Sequence, residues 1–154
     1  MIIAPATAAD LDAIDEIERH SFPRPWPRAT FEAELTRELA RLEVARAPGV
    51  VGFCNYRLAP APAAGGGGEL EVLVIATHPD RRRGGIGAAL LGHALAAGRA
   101  AGCPRALLEV RRGNAPAIAL YQRAGFCTVR VRAGYYADGE DALAMVAGLS
   151  GSNP

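Results

Sequence analysis

The chain has 154 residues, half of them hydrophobic, and its 17 basic and 16 acidic side chains give a formal net charge of +1. That length suits one compact domain, since a domain commonly takes roughly 100 to 200 residues, and interspersed charge near neutrality excludes the electrostatic footprint of a dedicated nucleic-acid binder. No apolar run approaches the ~18 residues of a membrane span, and no basic segment leads into an apolar stretch at the N-terminus, so a soluble, cytoplasmic protein without membrane association is expected. Every basic residue is arginine, which reads as a trace of genomic base composition rather than a functional demand. Cys54, Cys103 and Cys127 are odd in number, lack metal-ligand spacing and lie in or beside apolar stretches, so reduced, buried thiols are expected. His20, His78 and His93 share no ligand spacing either, and no metal is assigned.

In chain order, 1–5 reads as a short strand. Thr7 with Asp10 three residues later marks a helix start with an acidic first turn, and Leu11, Ile14 and Ile17 form its apolar stripe. Three prolines at 23, 25 and 27 forbid helix and impose an extended loop. A second helix is expected over 28–40, followed by strands over 42–47 and 50–58 joined by the turn signal Pro48-Gly49. The run APAPAAGGGG at 59–68 cannot bury enough surface to order itself and reads as a surface loop. Then come a strand over 69–77, a helix over 85–101, a strand over 105–111, a helix over 114–123 closed by Gly125 at the C′ position, and strands over 126–132 and 142–147. This order, with hairpins at both ends, predicts an α+β fold with one central mixed, mostly antiparallel sheet flanked by helices. The expected domain spans 1–149, with 150–154 a flexible tail.

Two motifs carry chemistry. RRRGGIG at 81–87 follows an apolar strand and opens a helix, with the spacing Arg82-x-x-Gly85-x-Gly87, so its backbone N–H groups can converge on a pyrophosphate. Gly85 and Gly87 allow a tight turn and close approach, and Arg81 to Arg83 suit phosphate contact, although a charge run also makes a solvated face. The second motif, LEVRRGNAPAIALYQRAGF at 108–126, sets Glu109 in an apolar strand, where desolvation would raise its pKa. Asn114 stands at a helix start as an N-cap, and Tyr121 lies within that helix, where packing alone would also account for it. A salt bridge from Glu109 to a nearby arginine such as Arg111 is the plain alternative to catalysis.

These motifs, with IERHSFPRPW at 17–26, Phe31, Glu34-Leu35 and GYYADGEDALAM at 134–145, resemble the GNAT N-acetyltransferase superfamily. Within it they are similar to the RimI branch, which acetylates the N-terminal alanine of a small-subunit ribosomal protein. The resemblance covers nearly the whole chain. It departs at Gly113, where relatives often carry Ser, and in the glycine-rich 59–68 segment.

The resemblance implies acetyl-coenzyme A as co-substrate, bound by Arg82, Arg83, Gly84, Gly85, Ile86 and Gly87 at the pyrophosphate and by Val74, Ile75 and Ala76 along the pantetheine arm, with Asn114 as a further contact besides its cap. It implies Glu109 as general base and Tyr121 as general acid to the leaving thiolate. Glu71, placed where some relatives carry their base, is the reserve. It also implies that Phe22-Pro23 and Tyr135-Tyr136 wall a groove for the N-terminal segment of a protein. The plain alternative is that Phe22 and Trp26 only staple the loop to the core, and for Trp26 that reading is taken. The acceptor α-amine has a pKa near 8, within reach of a weak base. A GNAT acting on a small-molecule amine and a non-catalytic acyl-coenzyme A sensor are the other readings. The sequence does not fix the oligomeric state.

Overall fold

The structure, a computed structural model, describes residues 1–60 and 68–149. Residues 61–67, the middle of the expected glycine-rich loop, and the expected tail at 150–154 lie outside the described residues. Among those described, the strands are β1 (Ile2–Pro5), β2 (Ala40–Arg46), β3 (Val50–Ala59), β4 (Glu69–Thr77), β5 (Arg105–Arg111), β6 (Cys127–Arg132) and β7 (Ala142–Gly148), and the helices are α1 (Leu11–Ser21), α2 (Arg28–Glu34), α3 (Ile86–Ala100) and α4 (Ala115–Arg123). They form one sheet of order β1-β2-β3-β4-β5-β7-β6. Its β4/β5 pairing is parallel and its outer pairings are antiparallel, so the expected α+β class with a mixed sheet is what folds. Two units divide the chain, 1–57 with 73–94 and 58–72 with 95–154.

In the first unit, Leu11, Ile14 and Ile17 recur at helical spacing and bury one face of α1 with Phe31, Leu42, Val44 and Phe53. Thr7 N–H donates to Asp10 Oδ2 (2.8 Å) at the helix entrance, and Arg46 of β2 grips the same carboxylate at 2.7 and 2.8 Å. That guanidinium holds the Asp10 carboxyl below the usual range, fixing the helix start to the sheet. α1 ends at Ser21, before the first of the three prolines.

The helix expected over 28–40 stops at Glu34. Strand β2 begins six residues later and captures Ala40 opposite Arg57. Glu34, buried, meets Arg57 at 3.1 Å and Arg37 at 3.6 Å, which turns the chain back toward the sheet.

In the second unit, β4 runs parallel to β5 from Glu69↔Arg105 to Val72↔Leu108, and β5 pairs with β7 along its whole length. Leu70, Ala106, Leu108, Met145 and Ala147 are buried on one face. The other face carries Glu71, Glu109 and Arg111. β6 pairs with β7 and has no second neighbour in the strand order, and Cys127 to Val131 along it are exposed. Cys127 is therefore exposed, against the expectation of three buried thiols, while Cys54 and Cys103 are buried. No helix is long and apolar enough to cross a membrane among the described residues.

Glu18 lies at the position after Ile17 on the apolar face of α1, and burial pushes its pKa up to about 7 from an ordinary 4.5. Between those values the folded chain keeps a proton that the unfolded chain has released, so stability falls as pH rises through that window. Thermal melts from about pH 5 to about pH 8 should show a loss of roughly 2 to 3 kcal/mol in the wild type. Glu18→Gln should lack that slope, and an unchanged slope in the variant would assign the titration to another group.

Candidate active site

In the first unit, a short 3₁₀ turn at Pro79–Arg81 leads from β4 toward α3, with His78 Nδ1 accepting Asp80 N–H at 3.1 Å. Arg83 (φ 66°) and Gly85 (φ 81°) both take positive φ. Such residues alternating with ordinary ones turn successive N–H groups inward as a nest, and the helix that follows exposes its first-turn N–H groups at the positive end of its dipole. Residues 80–85 are exposed, and a Cβ on Gly85 would meet nothing within 4 Å. The N–H groups of this open turn are chemically suited to an anion such as a pyrophosphate.

The side chains divide the expected roles. The Ile86 side chain is buried in the core, so what it can offer a ligand is its backbone. Arg82 turns back onto α1, donating to His20 O at 3.4 Å and Ser21 Oγ at 3.2 Å, and Arg81 donates to Ala47 O at 3.1 Å. The guanidinium of Arg82 thus braces the loop, while the backbone faces solvent. Val74, Ile75 and Ala76 lie past the stretch in which β4 pairs with β5.

Gly52 was not singled out from sequence, though a lone glycine inside an apolar strand signals close backbone approach. A Cβ there would lie 2.9 Å from Ile86 Cγ2, 3.0 Å from Ala76 O and 3.2 Å from Leu90 Cδ1. Gly52→Ala should therefore push Ile86 and loosen the first turn of α3. Amide hydrogen exchange at 84–88 should accelerate several-fold, and unchanged protection there would show that the strand absorbs the methyl group.

In the second unit, β5 ends in a constellation of charged and aromatic side chains. Glu109 Oε1 pairs with Arg132 Nε at 3.0 Å. The register explains the reach: Glu109 lies opposite Ala144 and Arg111 opposite Ala142 on β7, while Arg130 and Arg132 of β6 flank the same two alanines. Strands sit about 4.8 Å apart, so only a long side chain crossing a row of methyl groups spans β6 to β5. The salt-bridge partner is thus Arg132 and not Arg111, and the carboxylate faces a guanidinium rather than the purely apolar wall expected from its strand. The Tyr135 hydroxyl lies against the same carboxylate; that hydrogen-bonding interaction first, and burial second, push the phenol's pKa up. Glu109 Oε2 is enclosed, with no well-formed hydrogen bond among the described residues. Glu71 is exposed on the same face, one strand over, and adds to the field at Tyr135.

Arg111 organises the loop that carries the tyrosines. Its Nη1 donates to Asp138 Oδ2 (2.8 Å) and Glu140 Oε1 (2.9 Å), and its guanidinium carbon sits 4.1 Å over the Tyr136 ring. Tyr135 and Tyr136 meet edge to face at 5.1 Å. Burial raises the Tyr136 pKa, with Arg111 opposing. Glu140 Oε2 also accepts Gly113 N–H at 2.9 Å, and a Cβ at Gly113 would come 2.7 Å from that oxygen. A side chain there would only have to shift the end of Glu140. Asn114 caps α4, its Oδ1 accepting Ala117 N–H at 3.3 Å, and Gly125 takes φ 100° after the helix. Tyr121 is buried on α4 with its ring 5.8 Å from Phe126. The structure thus brings Glu109, Tyr135, Tyr136 and Arg111 together on one face of the second unit. Phe22-Pro23, Val74–Ala76 and the glycine loop belong to the first. No cluster of three or more His, Cys, Asp or Glu suited to a metal ion occurs among the described residues.

A family model described as the acetyltransferase (GNAT) family matches residues 11–126. The chain belongs to that family. It is similar to the N-alpha-acetyltransferase of Sulfurisphaera tokodaii, with 37% identity covering 94% of this chain and 90% of that one. It is also similar to the ribosomal protein bS18 alanine N-acetyltransferase of Escherichia coli, with 31% identity covering 96% and 97%. The crystal structure of the ribosomal-protein-S18-alanine N-acetyltransferase from Escherichia coli superposes on it with a TM-score of 0.82, covering 99% of this chain and 96% of that one. The sequence-based expectation of a GNAT acetyltransferase therefore holds.

Proposed function

We propose that this acetyltransferase moves an acetyl group from acetyl-coenzyme A to the α-amine at the N-terminus of a protein, and that the acceptor is the N-terminal alanine of a small-subunit ribosomal protein, in the cytoplasm. Relatives named for N-alpha and ribosomal-alanine acetylation align along nearly the full length of the chain. The observation that carries the reading is the grouping of the Glu109–Arg132 pair with the Arg111–Tyr136 stack and the Tyr135–Tyr136 ring pair on one face of the second unit. The domain responsible spans 1–149.

Acetyl-coenzyme A supplies an activated thioester. The nest at 82–87 receives its pyrophosphate, and the backbone of Val74, Ile75 and Ala76 pairs with its pantetheine arm. Glu109 accepts a proton from the α-ammonium, directly or through water, so that the neutral amine attacks. As the N–C bond forms and the C–S bond breaks, Tyr121 gives its proton to the leaving sulfur and is reprotonated by the second proton shed from the acylated nitrogen, directly or through water, while the proton on Glu109 passes to solvent. Glu71 stands in reserve on the same face as Glu109. Phe22-Pro23 and Tyr135-Tyr136 contact the acceptor backbone, and Arg111 holds Tyr136 for that contact.

An α-amine with a pKa near 8 is partly neutral at working pH, whereas a lysine at ~10.4 is almost wholly charged. Acetyl transfer to a peptide beginning with Ala, followed by mass spectrometry, should exceed transfer to an internal Lys by at least about a hundredfold. Preference for a polyamine or aminoglycoside over every Ala-initiated peptide would replace the protein acceptor with a small-molecule amine. Glu109→Gln should lower kcat by roughly 10² to 10⁴ with coenzyme affinity unchanged, the range expected when a positioned base is removed. Full rate in that variant, with loss in Glu71→Gln, would move the base to β4.

A further inference from the structure

The loop between α1 and α2 has few ways to hold itself. Prolines at 23, 25 and 27 remove every second N–H, so neither helix nor strand can form across it. Its ends are held by one residue. Glu18 O accepts Phe22 N–H at 3.1 Å, and Glu18 Oε2 accepts Trp26 N–H at 2.9 Å. Between these two bonds Pro23, Arg24 and Pro25 are exposed, while Phe22 and Trp26 pack against the core. Trp26 lies 5.5 Å from the Phe31 ring, which meets Phe53 edge to face at 5.3 Å.

Glu18 is 2% exposed, and its second oxygen, Oε1, is buried without a hydrogen-bond partner among the described residues. Such an oxygen costs stability that an apolar side chain at this place on the stripe would not. The carboxylate is therefore hard to explain as packing. What it adds is the acceptor beneath Trp26 N–H.

We propose that Glu18 is the positioning residue of the acceptor loop, clamping Phe22 and Trp26 so that the Phe22-Pro23 corner is held in one geometry for the incoming chain end. This rests on the assignment of Phe22-Pro23 to acceptor contact. A carboxylate makes a stronger, charge-assisted bond to an N–H than the neutral acid does, so the clamp is tightest with Glu18 ionised. The surroundings place few competing charges on it. Asp15, one turn earlier, is paired with Arg19; Asp10 is held by Arg46, and Asp12 by Arg28 of α2. Glu34 on α2 is bound to Arg57 and Arg37, and Arg82 approaches α1 only at His20 O and Ser21 Oγ. Arg24 sits on the loop itself. Burial is thus the main cause of the raised pKa of about 7, with the Trp26 bond opposing it and Asp15 adding a little.

Trp26 is the chain's sole tryptophan, so intrinsic fluorescence reports this loop alone. Emission and steady-state kinetics with an Ala-initiated peptide should be measured from about pH 5.5 to about pH 8.5 for the wild type, Glu18→Gln and Glu18→Leu. The wild-type emission should change with a midpoint near 7, and the peptide KM should fall as pH rises through the same midpoint. Glu18→Gln keeps an acceptor for Trp26 N–H but cannot titrate, so its emission should stay flat with a folded, blue-shifted maximum. Glu18→Leu should red-shift Trp26 and raise the peptide KM about tenfold or more, with kcat and coenzyme Kd near wild type. Wild-type emission and peptide KM in Glu18→Leu would overturn the proposal, as would a titration that persists in Glu18→Gln. An emission shift without any change in peptide KM overturns the positioning role while the clamp itself stands. If no peptide is acetylated by the wild type, the acceptor assignment fails, and with it the positioning role.

Discussion

The guanidinium of Arg111 is the contact on which the charged and aromatic face of the second unit depends. It stands at the end of β5, two residues beyond Glu109, and is only 15% exposed. From there it binds two carboxylates of the 133–141 loop and covers the Tyr136 ring. Glu140 carries the connection further, to Gly113 N–H, and so to the turn in which Asn114 caps α4. Strand, loop and helix are thus joined through a single planar cation. A lysine would deliver one point charge in place of the planar cation that lies over the Tyr136 ring.

The first unit solves a different problem. Its glycine-rich turn presents backbone, and backbone is placed by packing. Ile86 and Leu90 fill the space beside Gly52, Arg82 reaches back to α1, and α1 is tied at its entrance by Arg46 to Asp10. The exposed backbone at 82–85 is therefore placed by side chains that pack at a distance from it.

Much of this was legible in the sequence because it is local. Apolar runs marked β4 and β5, Asn114 and Gly125 bracketed α4, and the glycine loop announced the start of α3. What escaped is what depends on distant residues. The early end of α2 follows from the capture of Ala40 by Arg57, seventeen positions away. The Glu109–Arg132 pair needs the strand order, since β7 lies between them and only its alanines leave room. Two signals were present and unused. A carboxylate at position 18 interrupts an apolar stripe, and the acidic run 138–141 after two tyrosines answers the arginines at 111 and 112.

The position of β6 at the edge of the sheet has a practical side. Of the three thiols in the chain, those of Cys54 and Cys103 are enclosed and only that of Cys127 meets solvent, next to Val129 and Val131, which are also exposed. Burial raises the pKa of both enclosed thiols, which keeps them as unreactive thiols at neutral pH. An electrophile or oxidant in the surroundings thus finds one sulfur. A thiol-reactive dye placed there would mark a single defined spot on the second unit without any cysteine having to be removed.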